Sequence, residues 1–238
     1  MLDPRLGCVA RHIRPGAVLA DIGTDHAHLP IRMVETGVCP RAIASDLREG
    51  PADAARRHVQ AAGLQERIEV RLGDGLSTLS AGEADDIVVA GMGGETIAAI
   101  LDACPWIRDA RLHLVLQPMT RPEDLRRYLF GAGFAIREEE IVPDGRHLYT
   151  VLDAVYTGGR LDADEALCHI GRIPKGETVY LCRIRDRLRG QANGLFKASD
   201  AARRNEGVRL ASVADRLEAY MAGEWNPWPE EPKKGELL

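Results

Sequence analysis

VLADIGTDHAHLP, residues 18–30, reads as a buried strand (Val18, Leu19, Ala20) that stops at a carboxylate and a glycine, Asp21 and Gly23, and turns into a helix opening near Ala27. In an open parallel sheet, small molecules bind beyond the carboxyl ends of the strands, where a glycine lets backbone and ligand come close. Asp21 is then placed to hydrogen-bond a polar or cationic group of a ligand. The same residues also suit a plain turn and helix cap, so this stretch alone leaves both roles open.

The rest of the first two-thirds repeats the pattern. Leu6, Val9, Ala10 and Ile13 keep a helical period after Pro4, and Pro15 and Gly16 end it. Ala42, Ile43 and Ala44 form a short strand that stops at Asp46, and Pro51 opens a helix through about Ala62. Ile68, Val70 and Leu72 alternate as a strand and run into Gly73, Asp74, Gly75; Ile87 to Ala90 make a buried strand that runs into Gly91, Met92, Gly93, Gly94. A helix from Glu95 to Ala103 follows. Leu112 to Leu116 make a fifth strand ending in Gln117 and Pro118, then a helix spans Pro122 to Phe130. Residues 134–142 and 147–156 pair as antiparallel strands around Pro143, Asp144, Gly145. Alternating strands and helices predict a doubly wound, Rossmann-like α/β sheet, its early strands all stopping at Gly, Asp or Gln on one rim.

Composition sets the class. The 238 residues are 45% hydrophobic and 28% charged, ordinary for a soluble globular chain. No apolar run reaches the ~20 residues of a membrane span, and the first residues lack the apolar stretch of a signal peptide, so a cytoplasmic location is expected. Five scattered cysteines without a CxxC pair suggest neither disulfides nor a zinc site. Asp25, His26 and His28 lack a further ligand at useful spacing, so no metal is expected there either.

The rim excludes some ligands and favours one. A dinucleotide fingerprint needs three glycines over a helix N-terminus; here Gly23 stands alone, and Asp25 and His28 occupy the later glycine places, where a carboxylate repels a diphosphate. No Walker loop occurs. Asp46 suits two ribose hydroxyls, Asp74 suits an adenine amino group with Gly73 and Gly75 giving the ring room, and Asp21 with its turn suits an amino acid moiety. Together these describe S-adenosylmethionine.

At these positions the chain resembles a known family. DIGTDHA (21–27), Leu29-Pro30, Ala44-Ser45-Asp46, Gly73-Asp74-Gly75-Leu76, Ala90-Gly91-Met92-Gly93-Gly94 and Leu116-Gln117-Pro118 look like the bacterial tRNA (adenine(22)-N(1))-methyltransferases, in order, to about Tyr156. The resemblance implies a class I methyltransferase fold, S-adenosylmethionine as donor, tRNA as substrate and a helical C-terminal domain that helps hold it. Carried over, Asp21, Gly23, Asp25 and His26 line the methionine side, Asp46 the ribose, and Asp74 and Gly75 the adenine. Gly91 to Gly94 stand where other amino methyltransferases present an acid or Asn, two prolines and an aromatic. Asp25, Gly91, Met92, Gly93, Gly94, Gln117 and Pro118 are the expected catalytic set, Asp25 or the Gln117 oxygen favouring the positive charge of the product, with Gly91 also on the cofactor and Met92 or Tyr149 on the target base. His28 replaces an expected aromatic, so a stacking contact is expected to weaken. A methyltransferase of this fold acting on a small molecule or protein, and a non-catalytic RNA-binding module, share much of the pattern.

Past Gly158 and Gly159 the pattern becomes helical. Leu181, Ile184, Leu188 and Leu195, then Leu210, Val213, Leu217 and Tyr220, keep near-heptad spacing on either side of a polar break at 199–207, which predicts a coiled-coil-like helical hairpin whose first helix Gly190 and Gly194 weaken. Residues 1–159 hold 17 Lys and Arg against 23 Asp and Glu, whereas residues 160–238 hold 14 against 13, so positive charge concentrates in the tail. Arg183, Arg185, Arg187 and Arg189 are the expected nucleic-acid contacts, a solvated face paired with Asp186 being the plainer reading. Expected domains are 1–158 for cofactor, 159–225 for tRNA and a flexible tail at 226–238, in a monomer that needs neither membrane nor metal.

Overall fold

The structure is a computed structural model and describes residues 2–228. The chain divides between Asp162 and Ala163 into two compact units. The first is built on seven strands, β1 (Leu19–Ile22), β2 (Ala42–Asp46), β3 (Ile68–Leu72), β4 (Asp86–Gly93), β5 (His113–Thr120), β6 (Phe134–Asp144) and β7 (His147–Tyr156), in the order β3-β2-β1-β4-β5-β7-β6. Five are parallel, and β7 inserts antiparallel between β5 and β6. The helices are α1 (Pro4–His12), α2 (His28–Glu35), α3 (Glu49–Ala61), α4 (Gly94–Asp102) and α5 (Pro122–Ala132). The strand order reverses between β1 and β4, and a crevice opens outside their carboxyl ends, as in other sheets of this type.

The sheet's interior explains these elements. All residues of β1 and β2 are buried, as strands covered on both faces must be. Leu19 and Val88 of the strands share one core cluster with Val9 and Leu29 of the helices, and Leu114, Leu116 and Leu125 are buried as deeply, all 2% exposed or less. Asp3 starts α1 by accepting from the Leu6 N–H at 2.7 Å, with Pro4 at the first helical position. Two buried ionic sites sit within this packing: Arg126 of α5 against Glu139 of β6, and His113 between Asp86 at 3.4 Å and Asp153 at 2.8 Å. Burial disfavours the imidazolium, yet the two carboxylates hold His113 up to about 9.

β4 and β5 run further than their sequence suggests, through Gly93 and Thr120. Their pairing slips at Ala90/Met92 and Met92/Gly93, a bulge that carries the strand through Gly91 to Gly93.

The second unit holds α6 (Glu165–Ile170), α7 (Thr178–Phe196) and α8 (Ala201–Ala222). α6 carries no clear signal in the sequence. Cys182 faces Met221, Arg185 faces Glu218 and Arg189 faces Asp215, the register of an antiparallel hairpin. Neither Gly190 nor Gly194 breaks α7, and the polar break shrinks to 197–200. Gly207 lies inside α8 because the helices touch there: an added Cβ would sit 3.0 Å from the Phe196 ring and 3.2 Å from the Ala192 carbonyl. The start of the expected tail makes side-chain contacts. The Trp228 indole donates to the Gly171 carbonyl at 3.1 Å and stacks under Arg172, and Trp225 lies under Arg216. Residues 229–238 lie outside the described residues. Among the described residues no helix is long and apolar enough to cross a membrane.

Candidate functional site

A cavity of about 500 Å³ opens at the strand ends of the first unit, lined from β1, β2, β3, β4 and their turns. That is the size of a small-molecule site. Asp21, Gly23, Asp25, His26, Asp46, Asp74, Gly75, Gly91 and Met92 all line it. Four carboxylates against two arginines, Arg5 and Arg48, make its wall suited to a cationic ligand and hostile to phosphate.

Each acid is held differently. Asp21 is 6% exposed, accepts the Thr24 hydroxyl at 2.7 Å, and is pushed up to about 6, burial outweighing that hydrogen bond. Asp46, equally buried, takes the Arg48 N–H at 3.0 Å on one oxygen and the Asp25 N–H at 3.2 Å on the other. Those two amides fix the carboxylate plane and leave its remaining lone pairs to the cavity, the arrangement a vicinal diol needs. Asp74 stands exposed on the rim, its carbonyl holding the turn through Ser77 at 3.0 Å.

The turn after β1 is strained on purpose. Asp25 and Ala27 have φ of 54° and 57°, left-handed values that cost a non-glycine residue about 1–2 kcal/mol. Gly23, at φ 75°, also makes room: an added Cβ would lie 2.2 Å from the Met92 Cε. Met92 therefore roofs this turn. His28 keeps a ring partner, stacking on His58 at 5.5 Å with an interplanar angle of 20°, and His26 closes the triangle at 5.5 and 5.4 Å. Burial and its two histidine neighbours lower the His28 pKa.

The bulge at Gly91, φ 80°, is the second built feature. Gln117 is fully buried, and its Oε1 accepts both the Gly91 N–H at 3.1 Å and Arg5 at 2.8 Å, while its Nε2 donates to the Pro118 carbonyl at 2.9 Å. Gln117 thus holds the bulge in place, its oxygen taken up by the Gly91 N–H and Arg5. Gly93, Gly94, Gln117 and Pro118 do not line the cavity. Gly94 is glycine for packing, since a Cβ would lie 2.1 Å from the Arg121 carbonyl oxygen. Tyr149 stacks on His147 in the β6–β7 hairpin and does not line the cavity either.

Several lining residues have no clear signal in the sequence. Arg5 and Leu6 arrive from α1, Thr96 and Ile100 from α4, and Leu47, 63% exposed, follows Asp46 directly. For Leu47 the one sequence clue is its place directly after a strand-end acid. Gly75 packs on Ile100, where an added Cβ would come within 3.1 Å. Leu47 and Ile100 therefore offer apolar surface beside Asp46, as a planar base requires.

This fold and cavity define a methyltransferase domain, and the model of that domain family matches residues 2–152. The tRNA (adenine(22)-N(1))-methyltransferase of Bacillus subtilis (strain 168) is 36% identical over 225 residues, 91% of this chain and 94% of that one. The crystal structure of the B. subtilis M1A22 tRNA methyltransferase TrmK superposes with a TM-score of 0.82 at 32% identity, covering 93% of this chain and 99% of that one. Streptococcus pneumoniae Sp1610, solved with S-adenosyl-L-methionine, gives 0.78 at 32% identity over 91% and 99%. The chain belongs to the tRNA (adenine(22)-N(1))-methyltransferase family.

Proposed function

We propose that this chain methylates N1 of adenine 22 in tRNA with S-adenosylmethionine as donor, in the cytoplasm. The observation that carries the reading is one acid-lined cavity, without a phosphate cradle, that ends at a glycine bulge, in a chain of this family. S-adenosylmethionine supplies an electrophilic methyl on a sulfonium. Asp46 accepts from the ribose hydroxyls, Leu47 and Ile100 flank the adenine, Asp74 takes its amino group, and Asp21 pairs with the methionine ammonium. These residues bind and orient the donor.

Adenine N1 carries a free lone pair, so the new N–C bond forms without prior removal of a proton and no general base is required. Alignment supplies the rate. Gly91, with no side chain and its N–H held by Gln117, keeps the bulge open for the target base, and Asp25 favours the positive charge that N1 gains. The base must leave its stack to reach the site.

In the second unit, Arg185 is 2.8 Å from Asp186 and reaches Glu218, and Arg189 holds Asp215 and Glu218 at 3.0 and 2.5 Å. Arg183 and Arg187 are exposed one helical turn apart, and we assign tRNA phosphate contact to these two. The test is incubation with an unmodified tRNA transcript and labelled S-adenosylmethionine, followed by mass-spectrometric mapping. Methyl on N1 of adenine 22 supports the reading. Cofactor binding without incorporation into tRNA would overturn the substrate and point to a small-molecule or protein acceptor.

A further inference from the structure

Cys8 and His12 stand one turn apart on α1, so both side chains project from the same helical face. That face packs on β6, which brings Glu140 to them. The three donor atoms, one from each residue, lie within 4.8 Å of one another. Tetrahedral zinc bonds of about 2.0–2.3 Å set donor separations of about 3.3–3.8 Å, so the closure needed is small. The His12 Nε2 is already 3.5 Å from the Glu140 carboxylate.

Three observations make this more than a chance cluster. The His12 side chain is 7% exposed, and its buried Nε2 has no hydrogen-bond partner among the described residues. Such an orphaned nitrogen is costly unless something takes its lone pair. The other ring nitrogen, Nδ1, faces the second oxygen of the Asp153 carboxylate at 3.9 Å, on the side from which a carboxylate orients a metal-bound imidazole once the gap closes to hydrogen-bond length. Cys8 is 1% exposed, while Glu140 is partly exposed and gives an ion a way in.

We propose that Cys8, His12 and Glu140 form a binding site for a divalent transition metal of the zinc class, with water or a further donor in the fourth position. Binding replaces the Cys8 S–H proton, which leaves to solvent, and forms Sγ, Nε2 and carboxylate bonds to the ion. Arg11, paired with Glu140 and largely exposed, swings clear. The ion ties α1 to β6. Since α1 also carries Arg5 to Gln117 and the cavity, the site braces the bulge at Gly91. The absence of a CxxC pair gives no warning of it, because one ligand comes from a strand far along the chain.

The test is titration of the intact chain with Co²⁺, then displacement by Zn²⁺. One equivalent giving a thiolate-to-cobalt charge-transfer absorption is expected. Cys8→Ser should abolish the band, Glu140→Gln should weaken affinity at least about tenfold, Asp153→Asn about tenfold, and Cys182→Ser should change nothing. S-adenosylmethionine binding by each variant checks that it has folded. No thiolate band in the wild type, or a band that survives Cys8→Ser, would overturn the site. So would bandless Co²⁺ binding that His58→Ala removes, which would place the ion among His26, His28 and His58.

Discussion

Asp46 of the rim and Arg189 of the hairpin are both charged groups fixed by neighbours, but the neighbours differ. Asp46 is held by two backbone N–H groups, which orient it, and its one cationic neighbour, the exposed Arg48 guanidinium, stands off at 3.9 Å. Arg189 is held by two carboxylates, Asp215 and Glu218, which do neutralise it. The rim therefore keeps charge available for a ligand, whereas much of the hairpin's charge is already used to hold α7 on α8. A cluster of arginines in a sequence does not by itself mark a nucleic-acid surface. What matters is whether the opposing element supplies acids at the facing positions.

The sharpest test of the rim removes its oriented acid. Asp46→Ala eliminates two charge-assisted hydrogen bonds to the ligand, each worth roughly 1.5–3 kcal/mol. We expect cofactor affinity and kcat/KM to fall at least about a hundredfold, with the melting temperature little changed, as read by calorimetric titration and methyl incorporation. A loss below about threefold would mean that Asp46 serves only to hold the Asp25 turn.

Gly91→Ala comes next. At φ 80° an alanine costs about 1–2 kcal/mol, and an added Cβ would stand 3.5 Å from Arg5. A drop of about tenfold in kcat, larger than the effect on cofactor affinity, is expected from single-turnover assays. Equal falls in both would show that the bulge holds the donor and not the target base.

How much of this was visible beforehand follows the same division. The strand-end acids are legible because each ends a short apolar run, and the structure brings Asp21, Asp46 and Asp74 to one cavity. The bulge is not, since pairing past Ala90 goes with the Gln117 side chain that accepts the Gly91 N–H, a contact no local pattern announces. Arg5 and Leu6 reach the cavity only through the packing of α1. In the hairpin the apolar stripes gave the helices, but Gly207 read as a break and is a contact point, and the arginine partners sit a helix away.

The hairpin can be divided by substitution. Arg183→Glu with Arg187→Glu should weaken tRNA affinity about tenfold and make its dependence on log salt shallower by about 1 to 2, leaving cofactor binding intact. Arg185→Ala with Arg189→Ala should instead lower the melting temperature by about 1–3 °C and leave the salt slope nearly unchanged. The opposite assignment of effects would move the phosphate contact to Arg185 and Arg189.

Two buried titrations in the first unit give opposite readouts of pH. Asp21, raised to about 6, must be ionised to pair with an ammonium group, so cofactor affinity should hold above pH 7 and fall by up to about tenfold per unit below 6. Thr24 and Asp46 face the same carboxyl, and Asp21→Asn should flatten the profile at the low-affinity level.

His113 affects stability and not affinity. Its folded value of about 9 exceeds the ordinary 6.5, so its stabilisation is complete below pH 6.5 and is lost as pH rises through 9. The imidazolium bridges Asp86, which also takes the Arg14 backbone N–H at 2.7 Å, and Asp153, at the amino end of β4 and β5. Deprotonation leaves the buried Asp86 and the partly exposed Asp153 with one positive partner fewer. We expect the melting temperature to decline by a few degrees between pH 7 and 9.5, followed by scanning fluorimetry. In His113→Asn, less stable at pH 7, the alkaline decline should shrink. A decline of equal slope in that variant would assign the alkaline loss to other groups and leave His113 as a packing residue between two acids.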